Sequence, residues 1–396
     1  MRVTQSLNQT QFLASITQLE SGINQTSNQM SSGLSFSTAS QNPTAAGSVN
    51  NYKQTLAQSQ QYGTNAASAQ TNLNTEDSAL AQVQTQLQAL RNLALEANSG
   101  VLSNSNRSAI ATQAVQIQNS LLALANTTNG NGEFIFAGFA AQTQPFTLSA
   151  TGATYNGDQG QRQVQIAAGQ TVADGDNGDT VFNQIKTGNG TFTVTPAAGN
   201  TGSGIVGATT VSNPAAYNGG TYSISFTAPG TYQVMQGATV VTTGSYTDGG
   251  TIAFNGVQVT LSGTPAAGDS FSLAPSANQS MFTTVQNLVS ALQTGVTTPA
   301  SSTALNNTIN SAINNIDQAL NQTSNVRATI GGRLNAITTQ QSVATSQQTQ
   351  LQQSITNLQG LDFAKAITTL DQQNTTLSAA LQAFTLTQGL SLFKFL

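Results

Sequence analysis

The sequence predicts an α+β protein: a long antiparallel helical bundle or coiled-coil rod built from both chain termini, with an inserted all-β outer domain. Three observations predict it. Apolar residues recur at steps of three and four over the first 125 residues and again from about residue 309 to 384. Between these stretches, residues 146–278 hold 22 of the 35 glycines and five of the eight prolines and alternate apolar with polar residues at period two, which marks short strands joined by tight turns. The change of pattern is abrupt. "NTTNGNGEFIFAGFAAQTQPF", residues 126–146, follows directly on a helical seam, and its Asn and Gly residues reach the left-handed backbone angles that end helices.

Each element follows in order. Phe12, Ile16, Leu19, Ile23 and Met30 form one apolar stripe on a first helix that ends near Gly33. At Asn42-Pro43 a second helix starts, because Asn can cap it and Pro occupies the first turn without losing a needed hydrogen bond. A seam then runs from Leu73 through Leu80, Val83, Leu87, Leu90 and Ala94 to Ala97 and stops at "NSG"; a further helix opens near Ser103 and carries Ile110, Ala114, Ile117, Leu121 and Leu124. The run Phe134, Ile135, Phe136 reads as a strand. "TYSISFT" puts Tyr222, Ile224 and Phe226 on one sheet face. "TIAFNGVQVTL" reads as a hairpin with Asn255-Gly256 in a type I′ turn, so that Phe254 opposes Val257 and Ile252 opposes Val259.

The returning half is more regular. Alternate steps of four and three from Ile309 to Leu358 visit fifteen positions, of which eleven are Ile, Leu or Ala; this favours one long helix, with Gly331-Gly332 inside it as a point of strain. After "QGLD" the frame shifts to a seam of Phe363, Ile367, Leu370, Leu377, Leu381 and Phe384. The implied domains are 1–41 with 360–396 as a terminal coiled coil, 42–145 with 279–359 as a helical core, and 146–278 as a β-rich unit of one or two parts. Because the flanking helices carry complete seams, 146–278 should be dispensable for the helical fold.

Only 24 residues are charged, 10 basic and 14 acidic, or 6% against the roughly 25% usual in soluble domains. Polarity comes from Ser, Thr, Asn and Gln, whose desolvation costs less than that of a charge, so such surfaces suit burial in contacts. A net charge of -4 with no basic cluster argues against nucleic acid and anionic membrane surfaces as partners. There is no Cys and no His, which excludes disulfides, thiolate nucleophiles and cysteine-held metals and removes the commonest general base. The start, "MRVTQSLNQTQF", lacks the apolar run of a secretory signal, and no stretch reaches membrane-span length. "DGDNGD", residues 174–179, has the density of a calcium loop, but position twelve from Asp174 is Ile185 where a bidentate Glu is needed. It reads as a turn. Without a phosphate loop, nucleophile elbow or His, the chain is expected to be neither an enzyme nor a metal or cofactor binder.

The stripes of residues 42–125 and 281–358 are expected to be buried inside their own domain. The terminal stripes are different: each lacks a sequence-adjacent partner and is low in charge, so the two termini should pair with each other and with neighbouring subunits. The candidate assembly interface is Leu7, Phe12, Ile16, Leu19 and Ile23 at one end and Leu370, Leu377, Leu381, Phe384, Leu390, Phe395 and Leu396 at the other.

"QMSSGLSFSTASQNPTAAGS", "LQALRNLALEANSG", "NGNGEFIFAGF", "VRATIGGRLNAI" and the ending "GLSLFKFL" together resemble the flagellin superfamily, and within it the proteins of the hook-filament junction. The phrase "GNGEFIFAGF" followed by "TQPF" is what separates the chain from flagellin itself. The resemblance implies a structural component of the bacterial flagellum, located outside the cell, that passes through the flagellar secretion channel without a cleaved signal. It implies an export chaperone, self-assembly as a short ring, and contacts with hook-associated protein 1 on one side and flagellin on the other. A flagellin-type filament subunit, and an adhesin with a β head on a helical stalk, are the competing readings.

Overall fold

The computed structural model describes residues 2–99 and 102–389. Among the described residues, six α-helices and fourteen strands follow in the order α1 (Arg2–Ser32), α2 (Pro43–Ala97), α3 (Asn104–Ala125), a strand-rich middle, α4 (Met281–Gln293), α5 (Pro299–Gln359) and α6 (Phe363–Gly389). The chain divides into two compact units, Met1–Thr64 with Gln340–Leu396, and Asn65–Thr339, and both α2 and α5 contribute residues to each. The fold class is the one read from the sequence: helices at both ends and an all-antiparallel β region between.

Local chemistry sets the helix ends. The Asn42 Oδ1 accepts the Ala45 amide at 3.1 Å, and Pro43 opens α2. Ser103 caps α3 through the Asn106 amide, and Ser280 caps α4 through the Phe282 amide. Gly33, with φ +69°, takes the left-handed conformation that ends α1. The Gly331-Gly332 pair lies within α5, which is helical throughout. Here the regular seam on either side overrides the low helix propensity of glycine.

In the second unit, Leu73, Leu80, Val83, Leu87 and Leu90 of α2 pack with Ile110 and Leu121 of α3, Leu288 of α4 and Ile309, Ile316 and Ile330 of α5. All are buried. The first five strands, β1 (Phe146–Ser149), β2 (Gly152–Tyr155), β3 (Gln163–Ala167), β4 (Gln170–Ala173) and β5 (Ile185–Lys186), belong to this same core. Phe146 and Phe182 lie 5.4 Å apart edge to face, and Phe282 of α4 stands 5.2 Å from Phe146. Residues flanked by strands therefore complete a helical core.

The run Phe134 to Phe136 is not a strand. It forms a turn with one isolated bridge, Thr128 to Phe134, because the Phe136 ring is drawn into the core against Phe182 at 5.1 Å and its carbonyl accepts the Gly178 amide and the Tyr155 hydroxyl. A three-residue apolar run fits either a strand or a buried turn, and packing decides.

The remaining strands are β6 (Phe192–Pro196), β7 (Ile205–Val211), β8 (Tyr222–Ala228), β9 (Thr231–Gln236), β10 (Thr239–Ser245), β11 (Thr251–Phe254), β12 (Val257–Ser262), β13 (Ser270–Pro275) and the short β14 (Asn278–Gln279), which pairs with β5. They form a five-stranded sheet ordered β10-β9-β8-β13-β6 and a three-stranded sheet ordered β11-β12-β7, which share one apolar core. Tyr222, Ile224 and Phe226 all face it, as period two requires. The β11-β12 hairpin has the expected register, Phe254 to Val257 and Ile252 to Val259, with Asn255 at φ 42° and Gly256 at φ 77°. Buried amides on α5 hold this region: Asn307 accepts the Val206 amide and donates to the Gly204 carbonyl, and Asn315 accepts the Gly188 amide.

Candidate assembly interface

The first unit is built from the chain's two ends. Between α1 and α6 the helices run antiparallel: the rings of Phe12 and Phe384 stack with centroids 4.9 Å apart and planes within 8°, and Thr26 meets Gln373 at 3.1 Å. Gly22 lets Gln373 lie close, since a Cβ there would come within 3.2 Å of its amide. Beyond the helices the connecting segments pair as well. The Ser35 amide donates to the Gln359 carbonyl at 2.8 Å, the Leu361 amide donates to the Gly33 carbonyl at 3.0 Å, and Leu34 bridges Gly360. Below this clasp Phe36, Ala46, Val49 and Ile355 form a small buried cluster.

Of the sequence-derived interface residues, Phe12, Ile16, Leu19 and Ile23 of α1 and Leu370, Leu377 and Phe384 of α6 are half-buried. These lie on the stripes that the α1–α6 pair brings together. Leu7 and Leu381 are exposed, at 65% and 46%, and so are Leu13, Phe363, Ile367 and Leu386. The α6 seam as read from the sequence thus splits into two faces. Ala366, Leu370, Leu377, Ala380 and Phe384 are covered to varying degrees, whereas Phe363, Ile367 and Leu381 point elsewhere. The two faces look like one in the sequence because Phe363, Ile367 and Leu381 each lie three or four residues from a member of the covered stripe, which Gln373 and Ala380 complete. Leu390, Phe395 and Leu396 lie outside the described residues.

The pair cannot make a core of its own. Among the described residues of α1 and α6 only Thr26 and Ala366 are buried, and the large apolar side chains remain partly or wholly open. Two helices in contact can cover only one stripe each. Burying a Leu or Phe fully contributes about 1.5–3 kcal/mol, so the uncovered stripe is a substantial reserve of association energy. Its surroundings are mostly Gln, Thr, Ser and Asn, and the charged side chains near it are few: Glu20 on α1 and Lys365 and Asp371 on α6.

Asp174 is paired with Arg162 at 2.8 Å and with Asn72, and Asp176 with Arg333 at 2.9 Å, so the "DGDNGD" carboxylates serve as structural anchors. Among the described residues no group of three or more His, Cys, Asp or Glu is arranged to hold a metal, and no helix is long and apolar enough to cross a membrane.

Residues 3–141 match the bacterial flagellin N-terminal helical region, 313–396 the bacterial flagellin C-terminal helical region, and 195–275 the D2-like domain of flagellar hook-associated protein 1. Flagellar hook-associated protein 3 of Salmonella typhimurium is 32% identical over 185 residues, 47% of this chain and 58% of that one. The chain thus spans a little over half of that relative's length. Two solved structures are covered almost completely. Xanthomonas campestris FlgL is 35% identical with a TM-score of 0.70, over 75% of this chain and 98% of that chain. The flagellar junction protein FlgL from Legionella pneumophila is 30% identical with a TM-score of 0.71, over 79% of this chain and 100% of that chain. With exposed terminal stripes, flagellin-type helical ends and near-complete coverage of two FlgL structures, the chain belongs to the flagellar hook-associated protein 3 family.

Proposed function

We propose that the chain is a structural subunit of the bacterial flagellum that forms a junction ring, with hook-associated protein 1 on one side and the flagellin filament on the other. The observation that carries this reading is the α1–α6 pair, whose apolar residues are only half covered within one subunit. Packing against neighbouring copies and axial partners offsets the cost of exposing them. Leu7, Phe12, Ile16, Leu19, Ile23, Leu370, Leu377, Leu381, Phe384, Leu390, Phe395 and Leu396 are the residues assigned to that contact. The same unburied stripes give an export chaperone something to hold before assembly, and delivery runs through the flagellar secretion channel. No enzymatic step is assigned.

The test is a deletion strain. Cells lacking the protein should release unpolymerised flagellin into the medium, and the intact gene should restore filaments. Normal filaments in the deletion strain would overturn the junction reading.

A further inference from the structure

Glu76 is a carboxylic acid in a place that does not suit a carboxylate. It lies on α2 and is 1% exposed. Its Oε1 accepts the Asp176 amide at 3.3 Å, while Oε2, also buried, accepts no hydrogen bond from the protein. The loop 174–179 that it touches is fixed from several sides. The Asp176 carboxylate receives both Arg333 guanidinium nitrogens from α5 at 2.9 Å and the Gln161 amide at 2.7 Å, and Asp174 receives Arg162 and Asn72. Glu133, from the turn after α3, stands 3.7 Å from Arg162. Facing Glu76 are therefore one carboxylate, Asp176, and one cation, Arg333, with Asp174, Arg162 and Glu133 forming the next pairs outward. Arg333 is already committed to Asp176 through two bonds.

We propose that Glu76 is a protonation-controlled latch: in its neutral form it seats loop 174–179 on α2 and α5, and its ionisation loosens that loop. Ionised, Glu76 would put a second carboxylate beside Asp176 with one oxygen unsolvated, and burying such a charge is costly. Burial, followed by the Asp176 charge, holds its pKa well above the ordinary 4.5, with Arg333 opposing. The direction of the linkage follows. A carboxyl whose folded pKa is raised contributes stability that is fully present below 4.5 and is lost as pH rises through the folded value. The contribution of Glu76 to holding the loop is thus greatest while its carboxyl is neutral and falls as pH rises. Both the helical core and the strands next to it feel this, because Gly178 donates to the Phe136 carbonyl and Phe182 follows directly in the buried aromatic cluster.

The experiment uses the full chain. Infrared spectroscopy over a pH series with carbon-13 glutamate reads four side chains, Glu20, Glu76, Glu96 and Glu133, of which only Glu76 is buried. A protonated-carboxyl band that disappears as pH is raised is expected, together with hydrogen exchange at residues 174–179 that rises faster with pH than base catalysis alone dictates. Glu76→Gln keeps the neutral shape, so it should remove the band, flatten the excess exchange and raise the melting temperature at neutral pH by about 2–4 °C. Should that variant fail to fold, the wild-type band still decides. Loss of the buried glutamate's protonated band over the same pH range as the exposed glutamates, or equal pH slopes for wild type and variant, would overturn the proposal.

Discussion

Phe12 and Phe384 come from opposite ends of the chain, yet their rings lie nearly parallel with centroids 4.9 Å apart. The contact fixes the register of α1 against α6. Stacked aromatic pairs contribute about 0.5–1.5 kcal/mol beyond their buried area. Phe384→Ala should therefore loosen α1, seen as faster amide exchange over residues 8–20 in the isolated subunit, with exchange in α3 unchanged. Unchanged exchange in α1 would mean that the stack does not hold the pair.

The helical core and the strands divide differently from the composition boundary. Phe146, Val172 and Phe182 are buried with the helices, so removing all of 146–278 should abolish cooperative melting. A narrower cut should not. The Thr187 amide donates to the Ala277 carbonyl at 3.0 Å, so a short linker can join these two positions in place of the two-sheet region. Circular dichroism of that shortened chain should show one cooperative helical transition. Equal behaviour of the two deletions would contradict the division of cores.

Gly256→Val tests the hairpin turn. At φ 77° a β-branched residue is strained, and its Cβ would collide with the Asn213 carbonyl. The variant should lose about 3 kcal/mol in the two-sheet region by chemical denaturation, whereas a surface change such as Thr243→Val should stay within about 0.5 kcal/mol.

Two ion pairs should differ in worth. Arg333 and Asp176 are largely buried, with side-chain exposures of 17% and 12%, while Arg91 and Asp317 are each 38% exposed. Arg333→Met leaves a carboxylate poorly solvated and should cost about 3 kcal/mol. Arg91→Met should cost under about 1 kcal/mol. Denaturant melts of both variants check the order.

Much of the fold was legible because it is locally encoded. Steps of three and four produced α3 and α5, Asn42-Pro43 and Ser103 marked helix starts, and Asn255-Gly256 set a hairpin register. What was not legible depends on partners far apart in the chain. Glu76 meets Asp176 across 100 residues and Arg333 meets Asp176 across 157, and no spacing rule joins them. Phe134 to Phe136 looked like a strand because a short apolar run has no period. Leu381 looked like part of one seam with Leu377. Four residues apart on a helix they can share a face, and only the position of α1 shows which is covered.

That last distinction gives the sharpest test. Leu377 is half-buried in the α1–α6 pair, while Leu381 is 46% exposed and free of that stripe. A charge at Leu381 costs little while solvated and several kcal/mol once covered by a neighbour. For Leu381→Asp the measurement pairs the melting curve of the isolated subunit with filament growth in a complemented deletion strain that still secretes the variant. An unchanged melt with failed filament growth is the predicted result. A shifted melt with normal filaments would place Leu381 in an intrachain core and contradict assembly through the terminal helices.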